Sequence, residues 1–450
     1  VVRIVRLNPF TSPKVSPAKI LAGGFALLIL TGAVFLSLPI ASRTGRLPFL
    51  DALFTATSAV CVTGLVVVDT GTYFTRFGQT IIMLLIQIGG LGIMSAATIV
   101  FIILGRKITL RERLVIKEAL NQLDIEGVVR LVYTIVLLTL AVEAVGALLL
   151  STRFIPVYGL STGIYYSVFH AVSAFCNAGF DLIGGFRSMT PFNRDPVIMM
   201  TIPLLFILGG LGFTVALETY QRRRFSRLTL HAKMVLSITL FLLTVGTLVV
   251  LILEYNNPVT LGQFGPVGKL LNAFFMAATP RTAGFNSVPT DGMFPYTLFF
   301  IIALMFIGAS PASTGGGIKT TTFGVLMIAV VSTIRGDEEA LLFHKTIPVE
   351  ILRRAFSITG ISLALVFLVT LTLMITEQRP LLEMFFEAMS AFGTVGLSTG
   401  VTPTLSPIGR VMIIITMFAG RVGPLTLVFA FARLSRKKAV RFTSERIMIG

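Results

Sequence analysis

The sequence predicts an all-α membrane protein. Four tandem units, each a span, a re-entrant pore helix and a second span, give eight full spans around a pseudo-fourfold pore. Three observations carry this prediction. Apolar residues make up 54% of the 450 and charged residues 13%, against about 25% charged in a soluble domain. Eight apolar stretches are long enough to cross a bilayer as helices. Four shorter ones, one inside each successive pair, end in a common short motif.

Composition excludes a soluble enzyme and a disordered chain, since so much apolar surface cannot be left in water. The 37 Lys and Arg against 20 Asp and Glu give a net charge of +17. No nucleic-acid partner is needed to explain it, because a basic excess on one side of a bilayer is ordinary in membrane proteins.

In chain order, the spans are predicted at 20–38, 78–104, 128–150, 197–217, 234–253, 298–331, 355–375 and 408–431. The first is too long for a signal h-region and no A-x-A site follows it. The sixth is too long for one pass. It is interrupted by Ala309, Ser310, Pro311, Ala312, Ser313, Thr314, Gly315, Gly316 and Gly317. One Pro would suffice for a kink, and each Gly costs about 1 kcal/mol against Ala in a helix, so the run reads as an unwound loop.

The shorter stretches, 50–60, 164–175, 269–278 and 381–392, are too short to span. They read as re-entrant half-helices. Backbone that ends at membrane depth must be buried by protein or line a watery path. Of the 37 basic residues, 25 fall in the N-terminus, the linkers between pairs and the C-terminal tail. By the positive-inside rule these are cytoplasmic. Both termini are then inside, and the half-helices enter from outside.

The half-helices align on a terminal Gly: Gly64, Gly179, Gly284 and Gly396, separated by 115, 105 and 112 residues. Phe54, Phe169, Phe274 and Phe386 sit ten residues before it, and Ser58, Ser173, Ala278 and Ser390 six before. Leu65, Phe180, Phe285 and Leu397 follow. Downstream, QIGGLGIMS from Gln87, ILGGLGFTV from Ile207 and FAGRVGPLT from Phe418 repeat a G-x-x-G, where the third unit has STGGGIKTT from Ser313. Close helix packing in lipid favours such small residues, but does not explain their recurrence once per unit. The unit boundaries are placed at 1–105, 106–221, 222–335 and 336–450.

A cation crossing the bilayer must exchange its water for other oxygens, and backbone carbonyls in a loop can supply them. Gly allows the required backbone angles, and a re-entrant helix points its negative end at the ion. The candidate carbonyl-bearing stretches are Val62-Thr63-Gly64, Asn177-Ala178-Gly179, Thr282-Ala283-Gly284 and Thr394-Val395-Gly396. The fourth matches the T-V-G core of the K⁺-channel filter T-V-G-Y-G. Three of the four depart from that pattern and all lack its second Gly, which implies a shorter, less selective region.

On these aligned segments the chain resembles the superfamily of K⁺ transporters, the Trk/Ktr/HKT group, over nearly its whole length. Eight spans without an extra pair make it most similar to the Ktr-type membrane subunit. The resemblance implies K⁺ uptake at the cell membrane of a bacterium, with K⁺ held by the carbonyls at Gly64, Gly179, Gly284 and Gly396. In plant relatives a Ser at the first Gly accompanies Na⁺ preference, so Gly64 implies K⁺. A mobile loop at 309–317 that obstructs the pore is also implied.

Two cations lie inside predicted spans, at a cost of at least about 2.5 kcal/mol each. Arg421 is read either as an electrostatic barrier in the pore, which the resemblance supports, or as the partner of a carboxylate such as Glu143. Lys319 belongs with the gate, or reaches the cytoplasmic face as a helix-end lysine. The resemblance further implies a homodimer, and a separate cytoplasmic, KtrA-like ring of regulator-of-conductance subunits that bind ATP and ADP. The basic linkers (Arg222, Arg223, Arg224; Arg106, Lys107) offer it a docking face, or serve as anchors at the bilayer surface. Na⁺ is a candidate activator, and no organic cofactor is expected.

Cys61 and Cys176 read as small packing residues. His170, His231 and His344 are too scattered for a metal or catalytic centre, so no enzyme is expected. GGGIKTTT resembles a phosphate loop only loosely, lying in an apolar span with no preceding strand. The competing readings are a secondary cation transporter with broken helices, expected to show two related halves, and a Trk-type subunit.

Overall fold

A computed structural model describes residues 17–92, 95, 98, 128–337, 339–343 and 345–431. The far end of the second predicted span, the linker with Arg106 and Lys107, His344 and the tail after Phe431 lie outside the described residues.

Each unit opens with a long apolar helix: α1 (Pro17–Leu36), α5 (Val128–Tyr158), α9 (Leu230–Glu254) and α13 (Val349–Glu377). In lipid a helix satisfies its own backbone hydrogen bonds, so long apolar runs take this form. Each packs against the half-helix that follows it: α2 (Phe49–Val60), α6 (Leu160–Phe175), α10 (Pro266–Ala278) and α14 (Leu381–Gly393).

Between α2 and the next long element lies a single turn, α3 (Thr70–Tyr73). The second half of each unit then begins with α4 (Arg76–Leu91), α7 (Pro196–Gly210), α11 (Pro295–Phe306) or α15 (Pro407–Val422). Their outer ends are set by caps. Thr75, Asp195 and Ser406 accept from backbone N–H groups of the first turn, and Pro stands first in α7, α11 and α15, where its missing N–H costs nothing.

The second spans differ from the expectation that only the sixth of the eight spans is interrupted. Among the described residues four helices are long and apolar enough to cross a membrane, or five if a pair bent by 98° counts as one. That pair is α7 with α8 (Phe213–Arg222). The break is Gly212, at φ 92°; Gly92 (φ 85°) ends α4, and Gly423 (φ 91°) separates α15 from α16 (Pro424–Phe431). Such angles are open to Gly and strained for other residues. In the third unit residues 307–319 separate α11 from α12 (Thr320–Arg335), and Ile307 and Ile318 bridge the base of the loop. Interruption is thus a property of all four units. The G-x-x-G echo marks it in three: its last Gly turns the chain, and its first (Gly89, Gly209, Gly420) lies against a carbonyl in the last turn of a half-helix, at Val60, Phe175 and Phe392.

The units close in cyclic order. α4 packs on α6, α7 on α10, α11 on α14, and α15 returns to α2. At the outer rim Arg410 of α15 pairs with Asp51 of α2, joining the fourth unit to the first. A short hairpin, β1 (Leu341–Leu342) with β2 (Lys345–Thr346), follows α12.

Candidate ion pathway

All four half-helices end in the same backbone motif. The first residue of each candidate stretch has positive φ: Val62 51°, Asn177 58°, Thr282 71° and Thr394 50°. The closing Gly does too: Gly64 92°, Gly179 70°, Gly284 77° and Gly396 93°. Asn tolerates the left-handed region, but the β-branched Val and Thr do not. Three of the four turns are therefore strained, and such strain persists only where the surroundings impose it.

The surroundings do so through the helix ends. Thr63, Ala178 and Val395 donate their N–H to the carbonyls of Ser58, Ser173 and Ser390, each at 2.8 Å, and Ala283 donates to Thr279 at 2.9 Å. The hydroxyls of the same four residues reach the turn. Ser58 and Ser390 accept from Gly64 N (3.0 Å) and Gly396 N (3.1 Å), while Ser173 and Thr279 donate to the carbonyls of Phe180 (2.7 Å) and Phe285 (2.6 Å).

The third unit corrects the sequence alignment by one residue. Thr279, not Ala278, carries the anchoring hydroxyl. Phe275, not Phe274, is the fully buried ring that matches Phe54, Phe169 and Phe386. The cause is Pro280, which cannot continue the helix, so the half-helix closes in a tighter turn.

The four turns form a closed ring. A Cβ on Gly64 would lie 2.5 Å from the Ala178 carbonyl oxygen, one on Gly179 2.9 Å from that of Ala283, and one on Gly284 2.5 Å from that of Val395. A Cβ on Gly396 would clash with the carbonyl oxygen of Thr63. Each glycine thus faces a carbonyl of the next unit, and the cycle returns to its start. Twelve predicted residues, from Val62 to Gly396, are brought together here.

The ring floors a cavity of about 400 Å³ on the side where the half-helices begin. Asp69, Asp181 and Asp291 line it, with Arg187 as the cation in the lining. Asp181 lies outside the helices, and burial in the mouth pushes its carboxyl up to about 6, against the N–H of Ile183, which favours its charged form.

On the other side, residues 307–319 fill the space under the ring. They are non-helical, as expected, but they are bonded in place. Thr314 Oγ1 donates to Asn177 Oδ1 (2.8 Å), and Gly316 N donates to Thr394 Oγ1 (3.0 Å). Ser310 N donates to the Gly210 carbonyl (3.0 Å), and Phe213 N to that of Ala312 (2.9 Å). The other predicted gate residues, Ala309, Pro311, Ser313, Gly315 and Gly317, belong to the same segment. Lys319 curls back into it, donating to the carbonyls of Gly315 (2.7 Å) and Gly316 (3.4 Å) rather than reaching outward.

Arg421 makes none of the ion pairs found among the described residues. Its guanidinium donates to the carbonyls of Thr314, Gly89 and Gly90, clamping the loop to the broken span of the first unit. Glu143 instead meets Gln87 Nε2 at 3.3 Å and the Cys176 thiol at 3.8 Å. Among the described residues Arg421 therefore has no carboxylate partner, and Glu143 is bonded elsewhere.

Sequence reasoning missed one buried cation. Arg281, 7% exposed, donates to Thr239 Oγ1 at 3.2 Å, and its Nε has no hydrogen-bond partner. Its signal was its place three residues before Gly284, in the column that holds the buried Cys61 and Cys176.

Residues 29–441 match the TrkH family, described as a cation transport protein. The Ktr system potassium uptake protein B of Bacillus subtilis is 49% identical over 97% of each chain. The potassium/sodium uptake protein NtpJ of Enterococcus hirae is 42% identical over 97% of this chain and 98% of its own. Among solved structures, the potassium transporter TrkH of Vibrio parahaemolyticus aligns with a TM-score of 0.73 at 16% identity, covering 94% of this chain and 87% of its own; at that identity the likeness speaks for the fold alone.

Proposed function

The chain belongs to the TrkH family of cation transport proteins, and on that premise we propose that it is the ion-translocating membrane subunit of a Ktr-type potassium uptake system. The observation that carries the mechanism is the cyclic contact of Gly64, Gly179, Gly284 and Gly396 with the carbonyls of Ala178, Ala283, Val395 and Thr63. Oxygens on four sides of an axis can replace the water of K⁺. The half-helix ends add negative potential from four directions. K⁺ gathers in the acidic outer mouth, sheds water, and binds at the level of the four glycines.

The stretches Val62–Gly64, Asn177–Gly179, Thr282–Gly284 and Thr394–Gly396 act as the selectivity filter. Residues 309–317, Lys319 and Arg421 form the gate beneath it. Loop atoms obstruct the axis, and two cations at that depth repel K⁺, with low dielectric magnifying the effect. Movement of α12 opens the path.

The chain crosses the cell membrane eight times if each broken second span counts once, with the basic linkers and both termini cytoplasmic. It works with a regulatory partner, a reading supported by relatives named as protein B of a Ktr system. That partner is a cytoplasmic ring binding ATP and ADP, and the membrane subunit is a homodimer with one pore per protomer. Na⁺ acts as an activator in this reading; the Enterococcus relative is named for uptake of potassium and sodium. Breaks in all four second spans would suit a secondary transporter, but the fourfold closure favours one axial path over two related halves.

Ion flux into vesicles holding the purified chain tests this reading. K⁺ flux well above Na⁺ flux is expected, and a protein that moves neither ion with or without its cytosolic partner contradicts it.

A further inference from the structure

The half-helices of the second and fourth units carry a polar residue directly after their buried Phe. Each reaches forward to the segment beyond the ring. Glu387 of α14 is fully buried. It accepts from the hydroxyls of Ser398 and Thr402 (the latter at 2.8 Å) and from Thr399 N at 3.2 Å. His170 of α6, equally buried, accepts from Leu182 N at Nε2, 3.2 Å away. Its Nδ1 lies 2.7 Å from the Tyr166 carbonyl. A carbonyl only accepts, so Nδ1 carries the proton and the lone pair of Nε2 accepts the Leu182 N–H.

The equivalent positions in the first and third units do nothing of the kind. Thr55 turns its hydroxyl back to the Asp51 carbonyl at 2.9 Å. Met276 is apolar and buried. Met276 shows that an apolar side chain fills this site adequately, so packing does not explain a carboxylate. Burying one without a counter-charge is costly unless its oxygens are fully bonded, and among the described residues Glu387 is bonded only to its own unit's outer segment.

That segment needs the tether more than the others do. The first and second units are joined outside the ring by Asp69 Oδ2 and Phe186 N at 2.8 Å. The second and third are joined by Met189 N to the Asn286 carbonyl (3.0 Å) and by Asn286 N to Ser188 Oγ (3.2 Å). Residues 397–403 of the fourth unit make no hydrogen bond to a neighbouring unit among the described residues. In the ring order found above, the second and fourth units stand opposite each other.

We propose that Glu387 and His170 are positioning residues for ion selectivity, holding the outer segments of two opposite units so that the Val395 and Ala178 carbonyls keep their places in the ring. This rests on the reading of the ring as the K⁺-binding level. Loss of either tether lets one side of the ring relax inward toward the smaller ion, without opening or closing the pore.

The test is the K⁺-to-Na⁺ flux ratio of the full chain in vesicles, for Glu387→Gln, Thr402→Val, His170→Ala and, as reference, Gly396→Ser. Glu387→Gln keeps the shape but puts an amide NH₂ where an acceptor stood. Its ratio should fall roughly tenfold, the equivalent of one hydrogen bond to a charged group, while K⁺ flux persists. Thr402→Val removes one donor without touching the half-helix and should give a smaller fall in the same direction, as should His170→Ala. Wild-type ratios in Glu387→Gln and Thr402→Val beside a lost ratio in Gly396→Ser would overturn the proposal. So would a parallel loss of both fluxes and of thermal stability at constant ratio, the mark of a merely structural residue. If Glu387→Gln does not fold, Thr402→Val decides alone. A wild-type ratio in Gly396→Ser would instead overturn the ring reading beneath it.

Discussion

Thr314 donates its hydroxyl to Oδ1 of Asn177 at 2.8 Å, so the interrupted span of the third unit is bonded directly to the turn that carries the Ala178 carbonyl. The Asn177 amide reaches on to Thr282 Oγ1 at 3.3 Å in the next turn. The segment under the ring and the ring itself therefore share side chains. A displacement of one is felt by the other, and the segment under the ring is held by specific bonds rather than left loose.

Thr314→Val should loosen that segment. The substitution keeps the shape and removes the bond to Asn177. A net neutral hydrogen bond is worth about 1 kcal/mol, so K⁺ flux without the cytosolic partner should rise about fivefold. Deleting residues 315–317 should raise it further and weaken nucleotide dependence. A well-folded deletion with wild-type basal flux would show that the segment is not the gate.

Arg421→Ala should also raise basal K⁺ flux, and by more than Thr314→Val. It removes both a positive charge and the clamp from Thr314 to Gly89 and Gly90. Bonds from charged donors are worth roughly 1.5–3 kcal/mol each, so tenfold or more is expected. Arg421→Lys keeps the charge and loses the fork, and should fall between. If Lys and Ala behave alike, the clamp matters and the charge does not.

The outer mouth should make uptake pH-dependent. Burial holds the Asp181 carboxyl at about 6, so it is charged above that pH and neutral below it. Attraction of K⁺ is complete at pH 7.5 and is lost as the pH falls through 6. At low ionic strength, losing one of the three mouth carboxylates should cut uptake from dilute K⁺ about threefold. Asp181→Asn should start at the reduced rate and lose the step near pH 6. A step that survives the substitution belongs to another group.

Gly64→Ser is the most direct lesion of the ring. A non-glycine residue at positive φ costs roughly 1–2 kcal/mol, and the new Cβ meets the Ala178 carbonyl oxygen at 2.5 Å. K⁺-over-Na⁺ discrimination should drop about tenfold, measured as relative flux in vesicles.

Much of this site was legible in the sequence because glycine leaves a mark. Gly64, Gly179, Gly284 and Gly396 stand where only a residue without Cβ fits both the backbone angle and the next unit's carbonyl, and aligning on them located the ring. The one-residue shift at Thr279 was hidden because an ungapped alignment cannot register the tighter turn that Pro280 forces. Breaks at Gly92, Gly212 and Gly423 were present as motifs, but a single Gly in an apolar run does not reveal whether it packs or turns. Hydrogen bonds between distant segments, such as Thr314 to Asn177 and Arg421 to Gly89, leave no trace in composition or spacing. They arise only once the four units have closed.

Anomalous scattering from Tl⁺ or Rb⁺ substituted for K⁺ in crystals of the protein tests the ring most directly. The strongest peak should lie on the axis, surrounded by the carbonyl oxygens of Thr63, Ala178, Ala283 and Val395. It should weaken in Gly64→Ser crystals. An axis without a peak at that level, with the bound ion found instead beside Glu143 or between α4 and α5, would contradict the assignment.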